Sequence, residues 1–354
     1  MRYYIETIGC QMNENDSALI AAELSSYGFE RVDLLDKSDI AIINTCSVRA
    51  LAEHKASSWL GRAAEYKQKH KSVKIIVVGC MAERLGQKIQ KRFKAVDLVV
   101  GAKDIENASR KILSLLGKEQ VKSKIEINIP SSEVSYVTIM RGCDNYCSYC
   151  VVPFVRGKEI SLDSAEVINE CKKLVKNGTK EIMLLGQNVN SYKHGDITFA
   201  KLLKEIAEIE NLGNLTFMTS HPKDLSDELI EVMASESKIR KYIHLPLQSG
   251  SDKILALMNR KYTIEHYKGL IVKLRAKMPN INITSDIIVG FPGETEEDFN
   301  QTLDAVKDMQ FDALYIFKYS PRPNTAAAAL KDDVSLQEKK RRNNLLLKEA
   351  RKNK

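Results

Sequence analysis

Cys143, Cys147 and Cys150 stand in RGCDNYCSYCVVP, a CxxxCxxC spacing directly after the β-like run Val137 to Met140. Three thiolates this close cannot fill four metal positions alone. A cubane 4Fe-4S cluster held by three cysteines keeps one iron open, and that iron can chelate the amino and carboxylate groups of S-adenosylmethionine. The ordinary alternatives are a zinc knuckle or buried thiols. Structural zinc sites usually pair CxxC with a second CxxC or with His, and no such pair follows here.

The elements that must position this loop follow from the pattern of apolar runs. Beyond a linker, GKEQVKSKIEINIPSSE, six β-like runs are expected at Tyr136 to Met140, Glu181 to Leu185, Leu215 to Thr219, Tyr242 to Leu247, Ile283 to Val289 and Ala313 to Tyr319. Helical patterns such as Ser164 to Lys176 and Glu296 to Met309 alternate with them. Six βα units predict a partial barrel over residues 130–335, since a closed eight-stranded barrel needs about 250 residues. Polar motifs then fall at strand ends: GQNVNSY from Gly186, SHP from Ser220, QSGS from Gln248 and VGFPGET from Val289. Function in a parallel barrel gathers at that face. His221 and His244 have no partner at ligand spacing and are read as structural or substrate-facing rather than as metal ligands.

The first part of the chain, residues 1–125, alternates short β-branched runs with amphipathic stretches, including helices at Ser17 to Tyr27, Ala50 to Lys69 and Leu85 to Phe93. That is the pattern of an α/β fold with a parallel sheet wrapped by helices. Cys10, Cys46 and Cys80 each follow one of the first three runs, in IGCQMN, NTCSVR and VGCMAE. Loops at the carboxyl ends of parallel strands share one edge, so the three thiols converge although about 35 residues separate each from the next. They suit a second three-cysteine cluster with an open iron; core filler is the alternative. Asn44, Thr45 and Ser47 are candidate caps of the next helix. Cys171 lies on a helix face with Ile168 and Val175 and is read as a core residue.

Of the residues, 44% are hydrophobic and 28% charged, as in ordinary globular proteins. The N-terminus MRYYIETIG is not a basic segment followed by an apolar run, and no stretch approaches about 20 apolar residues. A cytoplasmic, membrane-free monomer is the expectation. Cysteines kept in a reducing compartment point to metal or redox chemistry. The net charge of +8 suits an anionic partner such as RNA. Residues 336–354 form a basic helix or tail, read as a solvated charged face or as a contact for an RNA backbone.

With these motifs assembled, the chain resembles the MiaB-type methylthiotransferases, radical SAM enzymes that act on tRNA. GCQMNENDS, NTCSVRALAEHK, VGCMAER, RGCDNYCSYCVVPFVRGKE, LLGQNVNSY, TSHPKDLSDELI, HLPLQSGSDKIL and DIIVGFPGETEEDF match the family's pattern in order. The resemblance implies an N-terminal methylthiotransferase domain followed by a radical SAM (β/α)6 barrel. It implies conversion of N6-isopentenyladenosine to its 2-methylthio derivative beside the anticodon. Two 4Fe-4S clusters are implied, with S-adenosylmethionine as both methyl donor and radical source. Carried over, Cys143, Cys147 and Cys150 hold the cluster that cleaves S-adenosylmethionine, and Cys10, Cys46 and Cys80 hold an auxiliary, sulfur-carrying cluster. Tyr149, Gly186, Gln187, Gln248, Ser249 and Gly290 are the candidates for cofactor binding. Implied partners are the tRNA anticodon stem-loop and a low-potential electron donor such as flavodoxin or ferredoxin.

Three features depart from the family pattern. The chain stops at Lys354, where a tRNA-gripping TRAM domain is expected to begin. Asn324 replaces a glycine near the barrel's end, and Asn tolerates the left-handed conformation best after Gly. Leu162 stands where an Arg is common. Alternative activities are methylthiolation of threonylcarbamoyladenosine in tRNA or of a ribosomal protein. A noncatalytic zinc- and RNA-binding protein is the alternative of another class.

Overall fold

The structure is a computed structural model that describes residues 1–48, 50–118 and 133–352. Most of the expected linker, residues 119–132, lies outside the described residues. The chain forms two compact units, Met1–Ser131 with Val152–Gly157, and Ser132–Val151 with Lys158–Lys354.

In the first unit, β1 (Arg2–Ile8), β2 (Glu30–Arg31), β3 (Ile40–Thr45), β4 (Lys74–Gly79) and β5 (Val96–Gly101) form one sheet in the order β2-β1-β3-β4-β5. Every neighbouring pair is parallel. The period-two alternation of the central strands explains why helices cover both faces. Ile40, Ile42, Ile76 and Val78 pack on α1 (Gln11–Ser26) and on the later helix α5 (Ala108–Leu115). Ala41, Ile43, Ile75 and Val77 face the other way, onto Ala56, Trp59, Leu60 and Ala63 of α2 (Ala50–Lys69). The helix expected at Leu85 to Phe93 is instead two short ones, α3 (Cys80–Leu85) and α4 (Lys88–Arg92). Gly86, at φ +51°, ends the first, a conformation that glycine adopts without steric cost. The unit also takes α6 (Val152–Arg156).

In the second unit, β6 (Val134–Thr138), β7 (Glu181–Leu185) and β8 (Asn214–Phe217) pair in parallel, as do β9 (Tyr242–His244), β10 (Asn282–Val289) and β11 (Ala313–Lys318). A parallel bridge from Leu215 to Ile239 joins the two halves. The strands therefore run in chain order, each followed by helix: α7 (Ser164–Lys176), α8 (Phe199–Ala207), α9 (Asp227–Ser235), α10 (Asp252–Leu257) with α11 (Ile264–Lys277), α12 (Glu296–Met309) and α13 (Leu336–Ala350). This is the expected six-stranded (β/α) barrel. Its strands begin and end within a few residues of the expected runs. Cys171 is fully buried in the barrel's core, where burial pushes its thiol up, as expected of a packing residue.

The C-terminal basic run differs from the expected solvated face. Lys339, Arg342, Asn343 and Leu346 recur at helical spacing and are buried. Lys339 bonds both oxygens of Asp332 at 2.6 Å, and Arg342 pairs with buried Glu294 at 2.6 Å. These cations, with Arg341 paired to Glu296 of α12, are spent on the barrel. Asn324 takes φ +70°, the left-handed conformation that its predecessor in the pattern would need. Leu162 packs against the barrel core.

Candidate cluster and cofactor sites

The register of the first sheet places Cys10, Cys46 and Cys80. Ile8 of β1 is paired with Thr45 of β3, which is paired with Gly79 of β4. These residues form one row across adjacent strands about 4.8 Å apart, and Cys10, Cys46 and Cys80 follow within two residues of it. A sheet in the order 2-1-3-4-5 has its topological switch point between β1 and β3, where ligands bind in open α/β folds. Cys10 and Cys46 flank that point. Cys10 is the N-cap of α1 and Cys80 the first residue of α3.

A buried asparagine pair locks the row. Asn13 Nδ2 donates to Asn44 Oδ1 at 2.8 Å, and Asn44 Nδ2 returns a bond to the Asn13 carbonyl at 2.9 Å. Thr45 Oγ1 donates to the Val78 carbonyl at 2.6 Å. Asn44 and Thr45, expected as helix caps, therefore bond sideways, because both lie within β3. Gly79, at φ +95°, admits no side chain: a Cβ would stand 2.5 Å from the Thr45 carbonyl oxygen. The Cys46 sulfur accepts the Val48 N–H at 3.3 Å. Burial pushes the Cys80 thiol up, and the neighbouring Arg156 guanidinium opposes it. Arg156 is missing from the sequence-based site; its Nη2 pairs with buried Asp16 at 3.2 Å.

In the second unit the CxxxCxxC loop leaves the mouth of the barrel after β6. Gln187 Oε1 accepts the Gly142 N–H at 2.6 Å, so this candidate cofactor residue holds the start of the cysteine loop. The turn after α10 straps the rest. Asn259 Nδ2 donates to the carbonyls of Asn145 and Tyr146, and Ser148 donates to those of Met258 and Leu257. Burial pushes the Cys143 thiol up to about 11. Tyr149 packs against the cluster formed by Ile254, Met258, Phe291, Tyr319 and Ala327.

Arg260, which sequence reasoning missed, is 4% exposed. Its Nη1 donates to Cys147 Sγ at 3.2 Å and its Nη2 to the Pro246 carbonyl at 3.1 Å. The ring of His221 lies 5.6 Å from that of Tyr262, which also bonds Arg260. Burial, reinforced by Arg260, lowers the His221 imidazole to about 2, so it is neutral at working pH. Ser249 is buried and shares its hydroxyl with Thr302, and Gly290 donates its N–H to Glu294. Gly186 is closed in by Met140, whose Cγ would lie 2.4 Å from an added Cβ. His244 is tied to Thr284 and Asp286.

These residues fit a polar cofactor at the barrel mouth. Asn188 Oδ1, His221 Nε2 and Gln248 Oε1 are buried without a hydrogen-bond partner, and each stands in the loop after a successive barrel strand. Gln248 is also held at φ +72°, a strained conformation of the kind that collects at ligand sites. Among the described residues no three His, Cys, Asp or Glu side chains are gathered as ligands of a single metal ion. A cubane instead takes each thiolate on a different iron.

Residues 137–306 match the radical SAM superfamily, and residues 2–101 match the uncharacterized protein family UPF0004. A tRNA-2-methylthio-N(6)-dimethylallyladenosine synthase from Endomicrobium trichonymphae is 58% identical over 352 residues, covering 99% of this chain and 84% of that protein. The chain belongs to the radical SAM methylthiotransferases. A second member of this family with the same name, from Clostridium novyi, is 45% identical and is matched over 100% of this chain and 83% of its own length. In fold, the methylthiotransferase is similar to the radical S-adenosylmethionine methyltransferase TsrM from Kitasatospora setae, solved with cobalamin and a [4Fe-4S] cluster. That likeness has a TM-score of 0.69 at 14% identity, over 92% of this chain and 77% of the other. No helix among the described residues is long and apolar enough to cross a membrane.

Proposed function

We propose that this chain converts N6-isopentenyladenosine beside the tRNA anticodon to 2-methylthio-N6-isopentenyladenosine. Residues 1–125 act as the methylthiotransferase domain and residues 130–335 as the radical SAM core. The observation that carries the reading is the registered row Ile8, Thr45 and Gly79, which delivers three cysteines to the switch point of a chain that also bears CxxxCxxC on a six-stranded barrel. Cys10, Cys46 and Cys80 would hold one 4Fe-4S cluster, and Cys143, Cys147 and Cys150 the other. When bound, these groups supply reductive cleavage of S-adenosylmethionine at the barrel and sulfur for insertion at the sheet edge.

The chain's own residues do the rest. Gln187 and Asn259 fix the cysteine loop. Arg260 sets a positive charge against Cys147, which strengthens hydrogen bonding to a thiolate. Asn188, His221 and Gln248 present unmet polar atoms for the cofactor's polar groups. His221, held neutral by burial, would add no positive charge to a site that binds a sulfonium cofactor. Phe291 and Met258 pack with Tyr149 in an apolar cluster that would exclude water from the site. The partners in this reading are the anticodon stem-loop and a low-potential donor such as flavodoxin or ferredoxin, met by a cytoplasmic monomer.

The test uses protein reconstituted anaerobically with iron and sulfide, then given S-adenosylmethionine, a strong reductant and isopentenyladenosine-containing tRNA. Mass spectrometry should find the 2-methylthio nucleoside together with 5′-deoxyadenosine. Deoxyadenosine without the modified nucleoside would retain the radical chemistry and reject this substrate.

A further inference from the structure

Arg156 follows Cys150 by six residues, yet it belongs to the first unit. Its side chain is 5% exposed, and that of Asp16, which takes its Nη2 at 3.2 Å, is fully buried. Nη1 is buried with no hydrogen-bond partner. A guanidinium carries five N–H donors in a planar fork, and leaving one unmet in the interior is costly. The groups that feel its charge, besides Asp16, are Cys80 and Cys10. Both are ligands of the auxiliary cluster in the reading above, on which this inference rests.

A buried arginine whose role is only to dock α6 would be expected to spend its donors on backbone carbonyls or carboxylates. Here one half of the fork is anchored and the other is unmet, on a helix, α6, that packs against α3, the helix Cys80 opens. Asp16 lies on α1, the helix that Cys10 caps, so the anchor and one cysteine share an element. Cys80 opens α3 and is itself 3% exposed. A thiolate there stands in a low-dielectric setting, where a charged N–H donor has its largest effect. Hydrogen bonds to cluster sulfurs set reduction potential.

We propose that Arg156 is a positioning residue of the auxiliary centre: Asp16 orients its guanidinium so that Nη1 donates to the Cys80 thiolate, stabilising the reduced cluster. Loss of that donor concentrates negative charge on the sulfur and makes the cluster harder to reduce.

The experiment uses the full chain carrying Cys143→Ala, Cys147→Ala and Cys150→Ala, so that the auxiliary cysteines alone receive iron and sulfide. A potentiometric titration followed by electron paramagnetic resonance is run with Arg156 intact, with Arg156→Gln and with Arg156→Lys. The expected result is a more negative midpoint and altered g-values in Arg156→Gln, with partial recovery in Arg156→Lys, which restores the charge but not the fork. An unchanged midpoint and spectrum in an iron-replete Arg156→Gln protein would overturn the inference. Should Arg156→Gln fail to fold, Arg156→Lys decides by the same criterion, a shifted midpoint supporting and an unshifted one rejecting it. If no cluster assembles even with Arg156 present, the reading of Cys10, Cys46 and Cys80 fails instead.

Discussion

Arg260 donates its Nη1 to the sulfur of Cys147 at 3.2 Å, across 113 residues of sequence. The guanidinium is buried and is met by tyrosines, a carbonyl and this thiol, not by a carboxylate. The Cys147 sulfur is thus one of the few acceptors that satisfy this buried cation. Hydrogen bonds to charged partners contribute about 1.5–3 kcal/mol. Arg260→Gln should therefore slow 5′-deoxyadenosine formation by roughly 10- to 100-fold, with iron bound at the barrel cysteines. A rate within twofold of the parent enzyme would remove Arg260 from the chemistry.

The two cysteine sets predict separable losses. Cys147→Ala should abolish cleavage of S-adenosylmethionine. Cys46→Ala should leave cleavage intact and block methylthiolation, read by quantifying deoxyadenosine and the modified nucleoside in one reaction. Equal loss of both products in a folded Cys46→Ala protein would contradict the division of labour.

Gln248 combines a left-handed backbone with an unmet buried oxygen. Gln248→Leu keeps the volume and removes that oxygen. Binding of S-adenosylmethionine should weaken by about tenfold, the worth of about one hydrogen bond, in an equilibrium titration. Unchanged affinity would place Gln248 outside the cofactor contacts.

His221 makes stability depend on pH. Burial lowers its pKa from 6.5 to about 2 in the folded protein, so between those values the unfolded chain binds the extra proton. Stability is thus complete above pH 6.5 and falls as pH drops below it. At pH 5.5 the loss from this group is about 1.4 kcal/mol relative to pH 7.5. Urea unfolding of the apoprotein at both pH values should show a smaller difference, by about that amount, in His221→Gln. An identical pH dependence in the variant would show that His221 is not held neutral.

Gly79→Ala should be costly out of proportion to its size. The residue has positive φ, and the new Cβ would meet the Thr45 backbone. A loss of about 1–3 kcal/mol is expected, with roughly half the iron released if Cys10, Cys46 and Cys80, which follow that row, hold one of the two clusters. Full iron content at unchanged urea midpoint would show that the row tolerates displacement.

The sequence discloses what is local. CxxxCxxC, the β-branched runs and the strand-end motifs are contiguous, so their spacing carries both the barrel and the cysteine sites. Asn324 was readable for the same reason, since its left-handed turn is a property of one residue. Arg156 and Arg260 were not legible, because their partners lie 140 and 113 residues away and nothing nearby marks either as buried. The stripe Lys339, Arg342, Asn343 and Leu346 was hidden by its own charges, which read as solvent-facing until their countercharges are seen. The break at Gly86 was likewise masked by apolar residues on both sides of it.

The pairing of Arg342 with Glu294 carries a temporal consequence. Glu294 closes the turn that begins at Gly290, and its countercharge is encoded 48 residues downstream. During synthesis, that carboxylate emerges from the ribosome well before the cation that neutralises it. The barrel can therefore nucleate early, but its mouth acquires its final electrostatic balance after α13 has been translated and has docked. Maturation of the cofactor site is in this sense ordered behind the emergence of α13.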